Sequence, residues 1–198
     1  MRVYLFCRYP EFGKVKTRLA AGCGDANALL LYEKMLKIIF QNLKESGREV
    51  LVHTAGGDSS LSTDWLKGFH HIEQVDGDLG ERLIAAVNRG FDEDDSPIVL
   101  IGSDCPEIDK ALLNEAEKLL CDNDVVIGPA EDGGYYLMAI KESNAELFTG
   151  VDWGTEDVLD QTLMSCNREK LSVALLEEKN DIDRLEDVPE EWLKELKI

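Results

Sequence analysis

The feature that most constrains the fold is a regular alternation of short apolar runs and longer amphipathic segments along the 198-residue chain. Residues 97–101, Pro-Ile-Val-Leu-Ile, form a uniformly apolar run, which is typical of a strand buried on both faces of a sheet. After Asp25, which can serve as an N-cap, the residues up to about Ser46 instead place apolar side chains at helical spacing, and Gly47 follows as a stop signal. This alternation predicts an α/β fold with a mostly parallel mixed sheet and helices on both faces.

The rest of the chain continues the same pattern. Further strands are predicted at residues 2–8, 49–54, 69–74, 124–128, 135–140 and 173–176. Further helices are predicted at residues 61–67, 81–89, 109–121, 156–165 and 186–196. The length suits one domain over residues 1–198. No run of about 18 apolar residues is present, so we expect no membrane span.

The composition excludes several classes of protein. The net charge of −19 argues against nucleic acid or an anionic membrane as a partner. The five cysteines are odd in number and include no C-x-x-C pair, so a disulfide framework and a structural zinc site both fit poorly. The N-terminal apolar run is too short for a signal peptide. Together these features predict a cytoplasmic protein, and they leave its oligomeric state open.

Basic side chains are concentrated after the first predicted strand, although the whole chain is strongly acidic. A glycine-containing loop brings backbone N–H groups close to a phosphate, and Lys and Arg side chains supply the compensating charge. Neither the Walker spacing nor G-x-G-x-x-G is present. We expect a diphosphate or triphosphate to bind here; the alternative is a solvated loop that balances local charge. The expected binding residues are Arg8, Gly13, Lys14, Lys16 and Arg18.

Carboxylates follow two of the predicted strands. Asp104 lies just beyond the central apolar run, and the pair Asp181 and Asp183 follows the last strand. Mg²⁺ and Mn²⁺ prefer oxygen ligands and are commonly held by one or two carboxylates together with substrate phosphates. Asp104 is therefore the first candidate metal ligand. The alternative for each of these aspartates is capping of the helix that follows it.

Residues 131–134, Glu-Asp-Gly-Gly, form a turn where the backbone can approach a ligand. Asp132 in this turn could orient a hydroxyl, bind metal or act as a base, with Gly133 and Gly134 beside the substrate. An ordinary Asp-Gly hairpin turn is the competing interpretation.

Two further segments carry candidate contacts to the substrate. Gly80 and Arg82 lie where a helix N-terminus could face a phosphate, although plain capping is the alternative. The Trp153 indole could stack on a ring of the substrate, although burial in the core is the commoner role for tryptophan.

Six short blocks in this order resemble the bacterial and archaeal family of nucleotide-diphospho-sugar transferase-like proteins. The resemblance covers essentially the whole chain, and the combination is more specific than any single block. It implies the GT-A fold, the fold of nucleotide-diphospho-sugar transferases. The blocks are FGKVKTRLA (12–20), GDLGERL (77–83), GSDCP (102–106), GPAEDGGYYL (128–137), DWGTEDVL (152–159) and DIDRLEDV (181–188).

The resemblance also implies a metal site. GT-A enzymes hold a nucleoside diphosphate through a metal ion on an acidic motif at the end of a central strand, and Asp104 matches that position. The usual Asp-x-Asp form is absent, because residues 102–106 contain one carboxylate. By resemblance to related nucleotidyltransferases, Asp183 is the expected second ligand, with Asp132 as the alternative. Mg²⁺ or Mn²⁺ is the expected cofactor.

Three functions compatible with the resemblance remain open. The first is a metal-dependent glycosyltransferase that uses a nucleoside diphosphate-sugar and a small acceptor. Here Lys14, Lys16 and Arg18 neutralise the leaving group and Asp132 activates the acceptor hydroxyl, so that Lys16 and Asp132 are the catalytic residues. The second is a nucleotidyltransferase that acts on a nucleoside triphosphate and releases pyrophosphate. The third is a nucleotide-binding module without catalysis.

Overall fold

The computed structural model describes residues 1–57, 66–94 and 96–197. Within these residues, seven strands form one sheet in the order β3-β2-β1-β4-β6-β5-β7. Only β6 runs antiparallel to its neighbours, and every other pairing is parallel. The strands are β1 (Arg2–Arg8), β2 (Val50–Ala55), β3 (His70–Glu73), β4 (Ile98–Ile101), β5 (Val125–Pro129), β6 (Tyr135–Ile140) and β7 (Val173–Leu175).

Helices cover both faces of the sheet, because successive strand residues point to opposite sides. In β1, Val3 and Leu5 pack in one core with α2 and α4, whereas Tyr4 and Phe6 pack in a second core with α3 and α5. A third cluster joins α1 and α2 to the C-terminal segment. The helices are α1 (Thr17–Cys23), α2 (Asp25–Ser46), α3 (Leu79–Glu93), α4 (Lys110–Asp122), α5 (Val158–Arg168) and α6 (Glu190–Leu196).

The predicted α/β class, mixed sheet and helices on two faces are confirmed. The strand predicted at 2–8 has the bounds that the sequence indicated. The long helix ends at Ser46 as predicted, but Gly24 and not Asp25 is its N-cap, so the helix begins one residue earlier than expected. The structure adds α1 inside the segment that we had treated as a loop. Most of the helix predicted at 61–67 lies outside the described residues. None of the helices in the described residues combines the length and apolar character needed to cross a bilayer.

Capping decides two of the alternatives left open above. Asp109, and not Asp104, caps α4, because its side chain accepts a hydrogen bond from the Leu112 N–H at 2.9 Å. At the C-terminus, Pro189 occupies the N-cap of α6, so neither Asp181 nor Asp183 caps that helix. The side chains of Asp104, Asp181 and Asp183 are therefore not used as helix caps. They lie at the edge of the sheet where all strands except the antiparallel β6 have their carboxyl ends.

Candidate functional site

Lys16 lies at the centre of the site. It occupies the N-cap of α1 in a left-handed conformation, with φ of 48°, and this turn aims its side chain inward. The side chain is only 5% exposed. Its ammonium donates to the Ile182 carbonyl at 2.6 Å and lies 2.8 Å from Asp104 Oδ1 and 3.8 Å from Asp183 Oδ1. One buried cation thus joins the β1 loop to two other strand ends.

Ile182 brings the last segment to the site. After β7 the chain continues beside β5. There the backbone N–H of Lys179 donates to the Pro129 carbonyl, and the backbone carbonyl of Lys179 accepts from the Glu131 N–H. The Ile182 N–H then donates to the Asp104 carbonyl at 2.9 Å. With its carbonyl bound to Lys16, Ile182 holds the carboxylates of residues 181 and 183 on either side of it at the end of β4. Arg18 completes the contact by binding Asp183 Oδ2 at 2.9 Å.

Tyr32 of α2 joins the ends of β1 and β4. Its hydroxyl donates to the Arg8 carbonyl at 3.0 Å and lies 3.4 Å from Ser103 Oγ. The Ser103 hydroxyl in turn donates to Asp104 Oδ1 at 3.3 Å. This chain of hydrogen bonds orients the Asp104 carboxylate. Nothing in the apolar stripe of the predicted helix distinguished Tyr32 from a core residue.

Asp181 is a partly buried acidic side chain next to other carboxylates. Burial, followed by the charges of Asp104 and Asp132, raises the pKa of Asp181 to about 7. Among the described residues, no hydrogen-bond partner is found for its buried Oδ1 atom. The Asp181 Oδ1 atom can therefore accept a hydrogen bond from a ligand or bind a cation.

The donor set fits a divalent cation with oxygen ligands. The Asp104 and Asp183 carboxylates each lie within 3.8 Å of the Lys16 ammonium, and the orphaned Oδ1 atom of Asp181 offers a third oxygen donor. Within the part of the chain that the structure describes, however, no three acidic, histidine or cysteine side chains already form a metal cluster. This favours a cation held by one or two carboxylates together with substrate phosphates, as is usual for Mg²⁺.

The turn between β5 and β6 positions Asp132. Its Oδ1 accepts a hydrogen bond from the Gly134 N–H at 2.9 Å. Gly133 has φ of +86°, and a Cβ there would lie 2.1 Å from the Glu156 carbonyl oxygen. The Gly133 carbonyl accepts from the Leu159 N–H, which fixes the turn against the start of α5. Residues 131–134 are thus a hairpin turn, and that turn also holds Asp132 at the cavity described below.

The N-terminus of α3 supports Trp153. Asp78 and Glu81 form a capping box, so capping explains the acidic pair of this segment. Gly80 is buried, and a Cβ there would lie 2.7 Å from Trp153 Nε1. The Trp153 ring meets Tyr135 edge to face, with centroids 6.2 Å apart. Gly80 therefore permits close packing of the indole.

Three cavities open at this edge of the sheet, and one of them lies beside Arg184 and shares Asp132, Asp181 and Asp183 with the other two. The basic cavity, of about 470 Å³, has four cationic side chains in its lining: Arg8, Lys16, Arg18 and Arg82. The apolar cavity, of about 270 Å³, is lined by aromatic and aliphatic side chains and by Asp104, Asp132 and Asp181. The basic and apolar cavities share Phe6, Leu79, Gly102 and Asp104.

The structure brings most of the predicted site residues together. Asp183 joins the four cations at the basic cavity, and Gly134 and Trp153 line the apolar cavity. Gly13, Lys14, Gly80 and Gly133 are absent from the lining of both cavities. Lys14 instead forms an ion pair with Glu11 and is well exposed. Leu79, a 41% exposed leucine that lines both the basic and the apolar cavity, was not predicted as a site residue, because nothing in the sequence distinguishes it from a core leucine.

Comparison with protein families places the chain. The family described as "Uncharacterized protein conserved in bacteria (DUF2064)" matches residues 39–155, more than half of the chain. No curated protein matches the sequence.

Solved structures with the same fold include several transferases. The "putative nucleotide-diphospho-sugar transferase" of Desulfovibrio desulfuricans G20 is 34% identical, with a TM-score of 0.86 over 92% of this chain and 82% of that one. A cytidylyltransferase of Leptospira borgpetersenii is 19% identical, with a TM-score of 0.60 over 93% of this chain and 82% of that one. Rv0371C of Mycobacterium tuberculosis H37Rv, in complex with manganese, is 14% identical, with a TM-score of 0.57 over 94% and 95% of the chains. The chain therefore belongs to the DUF2064 family and to the nucleotide-diphospho-sugar transferase-like proteins, whose fold it shares.

Proposed function

We propose that the chain is a metal-dependent glycosyltransferase that uses a nucleoside diphosphate-sugar and a small acceptor, with residues 1–198 acting as one nucleotide-sugar-binding domain. The observation that carries the proposal is the basic cavity beside the Asp104, Asp181 and Asp183 carboxylates. The 34% identity to the protein described as a "putative nucleotide-diphospho-sugar transferase" supports the same transferase class.

In this proposal the basic cavity holds the diphosphate. Lys16, Arg18 and Arg82 supply positive charge where the leaving diphosphate gains negative charge, and Arg8 adds a fourth cation at the end of β1. A Mg²⁺ or Mn²⁺ ion on Asp104 and Asp183, with Asp181 as a further ligand, would neutralise phosphate oxygens when bound. The manganese complex of Rv0371C, a protein of the same fold, motivates the choice of metals to test.

Asp132 is the proposed base. Its carboxylate lines the apolar cavity, and the turn hydrogen bond to Gly134 fixes its orientation. In the proposed step the acceptor hydroxyl oxygen forms a bond to the sugar C1 atom, and the bond from C1 to the diphosphate oxygen breaks with its electron pair. The hydroxyl proton passes to Asp132. Lys16 and Arg18 stabilise the charge that accumulates on the diphosphate.

Product analysis by phosphorus NMR tests the proposal. The protein would be incubated with Mg²⁺ or Mn²⁺ and a panel of nucleoside diphosphate-sugars and nucleoside triphosphates. We expect a nucleoside diphosphate to be released from one sugar nucleotide, by slow hydrolysis when no acceptor is present. Metal-independent release, or release unaffected by Asp132→Asn, would contradict the assigned roles.

A nucleotidyltransferase is the second candidate. One observation favours it: residues 102–106 carry a single carboxylate in place of the Asp-x-Asp of GT-A glycosyltransferases, and a buried lysine contacts that carboxylate. The same measurement separates the two functions, since a nucleotidyltransferase would release pyrophosphate from a nucleoside triphosphate. A non-catalytic module would release neither product, yet its unfolding temperature would still rise with bound nucleotide.

A further inference from the structure

The apolar cavity lies directly beside the basic cavity. Phe6, Leu79 and Gly102 contribute to both walls, and Asp104 stands at the boundary. A molecule in the apolar cavity would therefore meet the group attached to a phosphate held in the basic cavity. This is the position that a second substrate must occupy for transfer.

The walls of the apolar cavity are suited to a ring. Trp153 and Phe6 supply aromatic surface, and Leu83 and Leu100 supply aliphatic surface. Trp153 is held from two sides, by edge-to-face contact with Tyr135 and by close packing over Gly80. A fixed aromatic wall binds flat apolar faces without a large loss of side-chain entropy.

The charges of the two cavities are opposite. The apolar cavity includes three carboxylates, Asp104, Asp132 and Asp181, and among the described residues its lining contains no Lys, Arg or His. The basic cavity has four cations against two carboxylates. Lys16 lies 2.8 Å from Asp104 Oδ1, and the proposed metal ion would take Asp104 and Asp181, so Asp132 is the carboxylate of this lining that neither cation would neutralise. A phosphate or carboxylate on the second substrate would face the Asp132 carboxylate. An uncharged or cationic group would meet no such repulsion.

We infer that the acceptor is an uncharged or cationic small molecule with an apolar ring face and a hydroxyl, and that it binds in the apolar cavity with the hydroxyl toward Asp132. This inference rests on the proposed transferase function and adds to it the class of acceptor. The volume of about 270 Å³ suits a molecule with one or two rings. We expect acidic acceptors such as sugar phosphates and carboxylic acids to bind more weakly than uncharged ones of the same shape.

Three aromatic alcohols of matched shape test the charge preference. They are para-methyl, para-aminomethyl and para-carboxy benzyl alcohol, which are neutral, cationic and anionic at pH 7. Their dissociation constants for the wild-type protein would be measured by saturation-transfer NMR, with and without a saturating nucleoside diphosphate and Mg²⁺. We expect the neutral and cationic alcohols to bind and the anionic one to bind at least about tenfold more weakly. Equal affinity for the anionic alcohol, or binding by none of the three, would overturn the inference.

Variants assign the binding to the apolar cavity. Trp153→Ala should remove binding of the neutral alcohol. Asp132→Asn, which keeps the acceptor for the Gly134 N–H, should reduce the discrimination against the anionic alcohol. Glu131→Gln is the matched control, because this exposed neighbour does not line the apolar cavity. Unchanged discrimination in Asp132→Asn would overturn the inference even if Trp153→Ala failed to fold.

Nucleoside diphosphate binding, measured in the same samples, distinguishes a failure of the proposed transferase function from a failure of the inferred acceptor class. Loss of nucleotide binding with the alcohol preference intact would refute the transferase function and leave the cavity preference standing. Nucleotide binding without the alcohol preference would refute only the acceptor class.

Discussion

The substitution Lys16→Met removes the cation from the centre of the site while keeping most of the side-chain length. Both residues would adopt the left-handed conformation at φ of 48°, so the backbone strain is the same in the two proteins. What is lost is the ammonium that lies 2.8 Å from Asp104 Oδ1 and 3.8 Å from Asp183 Oδ1. The substitution therefore leaves two expected metal ligands without their resident cation.

The size of the effect follows from these distances and from the burial. Two unit charges about 4 Å apart interact by about 1 kcal/mol in water and about 4 kcal/mol near a protein surface. Lys16 is 5% exposed but Asp104 is 46% exposed, so solvent screens much of the interaction. We therefore estimate that Mn²⁺ must displace a lysine–carboxylate interaction of about 1 to 2 kcal/mol in the wild-type protein. Its absence in Lys16→Met corresponds to about 5- to 30-fold tighter binding of Mn²⁺ when no nucleotide is present. Affinity for a nucleoside diphosphate should fall instead, because the phosphate loses a cation.

Calorimetric titration with MnCl₂ and then with a nucleoside diphosphate measures both effects. Lys14→Met is the matched control, because Lys14 is exposed, binds Glu11 and lies outside both cavities. The control should leave both affinities unchanged. An unchanged or weaker Mn²⁺ affinity in Lys16→Met would refute the view that the lysine and the metal compete for the same carboxylates.

Two further predictions concern stability. Burial lowers the pKa of His53 from 6.5 to about 4. Between these pH values the unfolded chain binds a proton that the native chain does not. The free energy of unfolding should therefore fall by about 3 kcal/mol as the pH falls from about 6.5 to 4. His53→Phe should remove that part of the dependence, as measured by urea unfolding at pH 7 and pH 4.5. Gly133→Ala should cost more than about 2 kcal/mol, because the left-handed backbone strain adds to the contact with the Glu156 carbonyl. Gly150→Ala, at φ of +70° with no atom within 4 Å of the new Cβ, is its matched control and should show the backbone strain alone.

Each of these predictions has a clear contrary result. For His53→Phe, it is a difference in stability between the two pH values as large as that of the wild-type protein. For Gly133→Ala, it is a loss no greater than that of Gly150→Ala, which would mean that the Glu156 backbone moves away at little cost.

The sequence predicted the elements of the fold because burial imposes a period on the chain. The helix at Asp25–Ser46 was predicted to within one residue at its start, because its apolar stripe is long and Gly47 ends it with φ of 71°. The direction of β6 was not predicted, since a strand buried on both faces gives the same apolar run whether it is parallel or antiparallel. The helix α1 was missed because its seven residues are too few to establish a helical period.

The site was predictable in its chemistry and not in its contacts. The rule that strand ends share one edge of the sheet is enough to group Asp104, Asp183 and the basic loop. It does not show that the Lys16 ammonium stands between those carboxylates, because that position depends on a left-handed turn at Lys16 itself and on the carbonyl of Ile182. Nor does it separate Lys16 from Lys14, two residues earlier, whose side chain points to Glu11.

Asp132 shows why the alternatives at residues 131–134 could not be resolved from the sequence. The same residues form a tight hairpin turn and also present a carboxylate to the apolar cavity. The position of the turn at the cavity depends on Glu156 and Leu159, because their backbones pack against Gly133. These two residues come more than twenty residues later in the chain. A turn signature carries no information about such a partner.

The central claim is that the carboxylates at the strand ends and the basic cavity bind a nucleoside diphosphate through a divalent metal ion. Electron paramagnetic resonance of Mn²⁺ tests it directly, because the sharp signal of the hydrated ion broadens on binding. The reference sample contains Mn²⁺ and a nucleoside diphosphate without protein. We expect the wild-type protein to remove most of the signal that remains in that sample. We expect the Asp104→Asn variant to leave that signal largely in place. A signal that protein and nucleotide leave unchanged, or that Asp104→Asn removes as fully as the wild-type protein does, would contradict the account.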